Sequence, residues 1–156
     1  MKKTIRLILA VILAFAMAVP CYASNFSFAW GGTRISVGDD AEAVLAKLGK
    51  ANQVYQQNSS VLPGKYTVYD YEDFELSIFP DEIGNVISDI YIPEDSAAAT
   101  PEGLHIGSTK DDMVRIYGTN FEKSGDVCQY SRGESCLLVY LDGNKVDRIE
   151  YLLLPE

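Results

Sequence analysis

Histidine is nearly missing from this sequence, and cysteine is scarce: there is one histidine and there are three cysteines. A single histidine, His105, rules out paired-histidine chemistry. No Gly-x-Ser-x-Gly turn presents a serine nucleophile, and no glycine-rich loop is built to cradle a phosphate. Positive charge is also in deficit, with 13 Lys and Arg against 22 Asp and Glu. Nucleic acids and anionic membrane surfaces are bound through Lys and Arg, so that balance argues against both as partners. Beyond residue 19 there is no apolar run long enough to cross a bilayer.

What is present begins with an address. Lys2, Lys3 and Arg6 precede an apolar run over 7–19, which Pro20 ends, and Cys21-Tyr22-Ala23 supplies a cleavage site. This pattern predicts a secretory signal peptide over 1–23 and a secreted or cell-envelope protein with no membrane insertion after cleavage. Acylation at Cys21 is the weaker reading, because Pro20 beside the cysteine fits poorly with a small-residue lipoprotein box. Cleavage leaves 10 of the 13 cations against 22 acids, a net charge of about −12. That charge is compatible with basic partners. The remaining chain of about 130 residues suffices for one domain around one core.

The chain then says nearly the same thing twice. RISVGDDAEAVLAKLG, from Arg34 to Gly49, aligns without gaps on GLHIGSTKDDMVRIYG, from Gly103 to Gly118. Ile35 and Val37 match Leu104 and Ile106, Gly38 matches Gly107, and Gly49 matches Gly118. Each copy reads as an alternating apolar segment, a glycine, a polar cap, a short helix and a terminating glycine. Asp39 and Ser108 are the expected caps, each with an acid three residues on. Ala41, Val44, Leu45 and Leu48 form one apolar stripe, and Met113, Ile116 and Tyr117 form its counterpart. A second similarity relates 84–92 to 143–151. Between helix and final strand lie two strand-like runs in each copy, 66–71 and 74–79, then 126–130 and 134–141. The polar stretch 56–65 reads as loop.

The predicted fold class is α+β: two tandem helix–meander (αβββ) repeats sharing one antiparallel sheet of about six strands, with helices on one face. The predicted boundaries are a leader at 1–23, a strand-like segment at 24–34, repeats at 35–92 and 103–156, and a linker at 93–102. In 24–34, Phe26, Phe28 and Trp30 alternate as a strand does. Either Leu137, Val139 and Leu141 or Leu138 and Tyr140 could face the helices, since a one-residue slip in the 142–145 turn exchanges the faces; the first set, opposite Ile149 and Tyr151, is favoured. A three-residue loop at 131–133, with Gly133 left-handed, would set Cys128 opposite Cys136. An exported protein with cysteines so placed is expected to form that disulfide.

The polar clusters have structural explanations. His105 aligns with Ser36, at a position that does not require histidine. Asp39-Asp40 and Asp111-Asp112 serve as helix caps and lack the spaced oxygens of a calcium loop. Two thiolates make an incomplete zinc shell. No catalytic residue, metal site or cofactor is therefore predicted. Tyrosine is the informative excess, with ten in the chain. Tyr69, Tyr71, Tyr91, Tyr130 and Tyr140 fall on predicted strands and are candidates for a helix-free sheet face, where tyrosine supplies rigid amphipathic contact area.

The paired motif apolar-x-apolar-Gly-(Ser/Asp)-(Thr/Asp)-x-x-(Asp/Glu)-x-Val resembles the helix entry of the β-lactamase inhibitor protein family. It also resembles the small outer-membrane lipoprotein of the barrel assembly machinery. Thr100-Pro-Glu-Gly103 is similar to a linker in exported modules of Gram-positive bacteria. The resemblance spans about 35–152 and implies a protein-binding fold without catalysis. That inhibitor grips an enzyme with its concave sheet and inserts an acidic hairpin tip, which by position corresponds here to Tyr71-Glu72-Asp73-Phe74. It carries a disulfide in each repeat, whereas this chain has cysteines for only the second.

The resulting expectation is an exported, non-enzymatic, inhibitor-like binding module that engages another protein or a cell-envelope component, though not a β-lactamase inhibitor as such. Its expected contacts are Tyr69, Tyr71, Glu72, Asp73, Phe74, Tyr91, Tyr130, Arg132 and Tyr140. The alternative is a structural or stress-related envelope protein that self-associates.

Overall fold

Alternating aromatics build the first element. β1 (Ser27–Trp30) and β2 (Thr33–Ser36) pair antiparallel, with Phe28 opposite Ile35 and both fully buried. Gly31 and Gly32 close this hairpin at φ 54° and 81°, left-handed values that a two-residue turn of this kind demands. The structure, a computed structural model, describes residues 24–58, 64–79 and 84–154. The predicted leader 1–23, with Cys21, lies outside the described residues, as does the 59–63 portion of the expected loop.

Two short helices follow the two similar motifs. α1 (Ala41–Leu48) buries Ala41 and Val44, and α2 (Lys110–Tyr117) buries Met113. Their caps sit one residue later than the sequence suggested. The Asp40 carboxylate accepts from the Ala43 amide, and Thr109 forms a reciprocal capping box with Asp112. Asp39 and Ser108 instead hold the preceding turn, accepting from the amides of Ser36 and His105. Gly49 and Gly118 end the helices at φ 77° and 85°.

Eight strands form one antiparallel sheet. They are β3 (Gln53–Asn58), β4 (Lys65–Asp70), β5 (Glu75–Ile78), β6 (Ile87–Ile92), β7 (Glu122–Ser124), β8 (Val127–Arg132), β9 (Ser135–Asp142) and β10 (Lys145–Leu153). The spatial order is β3-β4-β5-β6-β10-β9-β8-β7. Each helix therefore precedes a meander of four strands, not three, and residues 56–58 belong to a strand. The overlooked strands, β3 and β7, bury no residue, so the alternation that marks a half-buried strand is absent from both.

The central pair joins the meanders, with Ile149 opposite Ile92 and Tyr151 opposite Ile90. Leu137 and Val139 lie opposite Tyr151 and Ile149 as expected, and all four are buried. This core face meets the helices and the first hairpin. The Phe28 ring lies 5.0 Å from Phe74 and 6.3 Å from Tyr151. Each such side chain contributes roughly 1.5–3 kcal/mol by leaving water.

One set of hydrogen bonds occurs twice. The Gly38 amide donates to the Ile87 carbonyl and the Gly107 amide to that of Val146, both at 2.7 Å. Ala41 donates to Asn85 at 2.8 Å, and Lys110 to Asn144 at 3.0 Å. The Tyr71 hydroxyl donates to the Gly49 carbonyl at 3.2 Å, and that of Tyr130 to Gly118 at 2.8 Å. Tyr71, just past β4, and Tyr130, within β8, thus each tie the sheet to the end of a helix.

The expected disulfide is not formed: Cys128 and Cys136 are both free and buried. Arg132 pairs with Ser135, so the loop between β8 and β9 has two residues rather than three, with Gly133 at φ 58°. In that register Cys128 faces Val139 and Cys136 faces Ser131. Side chains alternate across a sheet, so the two thiols project from opposite faces.

Candidate functional site

The sheet has a second face, and its register assembles a polar row. Gln53, Asp70, Glu75, Tyr91, Glu150, Leu138, Gln129 and Glu122 are successive neighbours across all eight strands. Four are carboxylates and none is a cation. A parallel row, two residues along each strand, runs Tyr55, Val68, Ser77, Asp89, Leu152, Cys136 and Ser131. Diagonal neighbours in such rows lie within reach of long side chains.

Asp89 is the anomaly in this surface. Its Oδ1 is buried and has no hydrogen-bond partner. Its pKa is held well above the ordinary value, first by burial, then by the charge of the diagonal Glu150, a hydrogen bond with that carboxyl, and Glu75. Protonating Asp89 relieves that repulsion. Glu150 also accepts from the Tyr140 hydroxyl at 2.7 Å, and Glu75 accepts from Tyr55 at 3.2 Å. Burial raises the Glu75 pKa, while the Tyr55 hydrogen bond opposes that rise. The Arg148 guanidinium lies 4.6 Å over the Tyr140 ring.

The expected contact residues divide between the faces. Tyr91 and Tyr140 stand on the polar face beside Glu150. Tyr69, opposite Leu76, shares the core face, as does Tyr130, opposite Leu137. Placing Tyr69, Tyr71 and Tyr130 on the open face is thus corrected. Tyr130 is buried under α2, and Tyr71 stacks on the fully buried Phe74 with ring centroids 5.1 Å apart. Cross-strand parity decides this, because it assigns each tyrosine to one face whatever its hydroxyl needs.

The hairpin tips make contacts of their own. Asp73 accepts the Ala97 amide on its Oδ1 at 2.9 Å and the Ser96 hydroxyl on its carbonyl at 2.6 Å, which fastens the linker. Glu72 is exposed at φ 71°, an unusual backbone for a non-glycine. The Arg132 guanidinium covers the Phe26 ring at 4.2 Å and approaches Glu102 at 4.0 Å.

His105 is exposed, and its Nδ1 lies 2.9 Å from the Ile106 carbonyl. No group of three His, Cys, Asp or Glu residues suited to a metal occurs among the described residues. Burial pushes the Cys136 thiol up to about 11, far from a reactive thiolate at neutral pH. An open groove of about 620 Å³ between α1 and β4–β5 is lined by Leu45, Ala46, Thr67, Tyr69, Ile78 and Phe79, with Glu42 as its carboxylate.

Asp70, Glu75, Asp89 and Glu150 were missed in the sequence. The available signal was Asp89 inside the apolar run Ile87–Ile92, where an acid occupies an interior strand position. No protein-family model matches the chain, and no curated protein or solved structure matches it either.

Proposed function

We propose that this chain is an exported, non-enzymatic binding module that grips a protein or cell-envelope component through the sheet face turned away from the helices. The carrying observation is the row that crosses the sheet without a cation, in which Asp70, Glu75 and Glu150 flank Tyr91 and Glu122 stands at the far edge beyond Leu138 and Gln129. Carboxylates beside tyrosines suit a partner surface with exposed Lys or Arg, because aromatic area supplies contact and the acids supply steering and register. The predicted leader 1–23 supports export. Twofold recurrence of the helix-entry hydrogen bonds supports an internal duplication, with its local two-fold passing at the Tyr91–Glu150 pair. This reading extends the resemblance to the inhibitor family, whose sheet is its gripping surface, and gives the hairpin tip Tyr71–Phe74 a structural role instead.

The test is affinity capture from culture supernatant and envelope extract, using the protein, a Tyr91→Ala/Tyr140→Ala variant and a Glu94→Ala control. The expected outcome is one identified partner held by the protein and the control, and weakened at least about 30-fold by the double variant, the scale of a contact hot spot. Equal capture by a folded double variant overturns the assignment of this face.

A further inference from the structure

The two edges of the sheet are built differently. β7 is three residues long and carries Glu122 and Lys123, a short and charged edge. β3 has six residues, Gln53, Val54, Tyr55, Gln56, Gln57 and Asn58, all exposed. It contains no charge and no proline, and its register with β4 runs without a bulge. Val54 and Tyr55 are 56% and 39% exposed and rank among the largest apolar side chains left in solvent. No described strand lies on its outer side. Charge, proline, brevity and bulges are the usual means of blocking an edge, and β3 uses none of them.

We infer that β3 is a pairing edge and that its occupant is the β3 of a second copy, joined antiparallel about a two-fold axis. The side chains favour self-pairing over a charged partner peptide. Gln53, Gln56, Gln57 and Asn58 each end in an amide, which both donates and accepts and so can bond its own kind across the axis. Carboxylates in those positions would repel their copies. The negative charge of the chain does not prevent this contact. The nearest acid row begins at Asp70, one strand in, so three strand spacings of about 4.8 Å separate it from its copy, about 14 Å and beyond the screening length. The resulting dimer has a C2 interface of the same patch on both copies. It also joins the polar faces of two sheets into one surface. A six-residue strand contact is small for a specific interface, so the pairing is reversible, with a dissociation constant on the order of 10 μM.

Light scattering on the purified protein, from about 1 to about 200 μM, reads the mass. The mass is expected to rise toward twice that of one chain, and a Val54→Lys/Gln56→Lys variant with unchanged melting temperature is expected to stay at one. A Gln56→Cys variant should cross-link to its copy under mild oxidation, whereas Ser124→Cys on β7 should not. A wild-type mass fixed at one copy across the range overturns the proposal. So does a lysine variant that dimerises as well as wild type, or cross-linking at Ser124 in place of Gln56.

Discussion

Asp89 and Glu150 are diagonal neighbours on one face of the β6–β10 pair, so that two carboxyls meet where Asp89 is buried. Burial and the neighbouring acid raise the Asp89 pKa in the fold above its ordinary value of 3.8. The linkage sign follows: the stabilising share of a raised acid is complete below its unfolded pKa and is lost as pH rises through the folded one. Relative to an Asp89→Asn variant, wild type should therefore lose stability as pH rises above about 4. Once Asp89 is ionised, the variant should be the more stable by roughly 1–2 kcal/mol, because the amide removes a buried like-charge contact. Melting curves of both proteins from about pH 4 upward decide it, and a variant that gains nothing on wild type as pH rises contradicts the raised Asp89 pKa.

The opposed projection of Cys128 and Cys136 carries a chemical prediction. Thiol titration after denaturation should recover both as free thiols. A reducing agent should leave the melting temperature unchanged, since no bridge closes a loop in the unfolded chain. A fall in melting temperature on reduction would mean that β8 and β9 pair in another register.

Removing single hydroxyls tests the two helix ties. Tyr130→Phe should cost about 1 kcal/mol, and Tyr71→Phe about half of that, since its bond is longer and more exposed. The two sites share no partner, so a double variant should show the sum. Urea unfolding with an unchanged slope measures each cost. A null effect at Tyr130 would show that water replaces its hydroxyl at Gly118.

Much of this fold was legible where burial imposes a rhythm. Leu137, Val139 and Leu141 alternate on the interior side of β9 and favoured the register against Ile149 and Tyr151, but Leu138 and Tyr140 between them are apolar too, so pairing rather than pattern decides the face. The glycines at 38, 49, 107 and 118 marked helix entries and exits because left-handed backbone excludes most other residues. β3 and β7 left no trace, since a strand exposed along its length is held by backbone bonds that carry no sequence signature. The loop after Arg132 was misjudged by one residue, and the pairing of Cys128 changed with it. The candidate site was the least legible part. Asp70, Glu75, Tyr91 and Glu150 are scattered through the sequence, and only cross-strand pairing makes them neighbours.

Synthesis delivers β10 after every other strand, yet β10 occupies the middle of the sheet. Until it emerges from the ribosome, β6 and β9 each lack the neighbour that completes them, and no strand pairing joins the two meanders. A stop codon before Lys145 would therefore do more than trim an end. It would split the molecule down its centre line and leave two bare edges for proteases and aggregation to find.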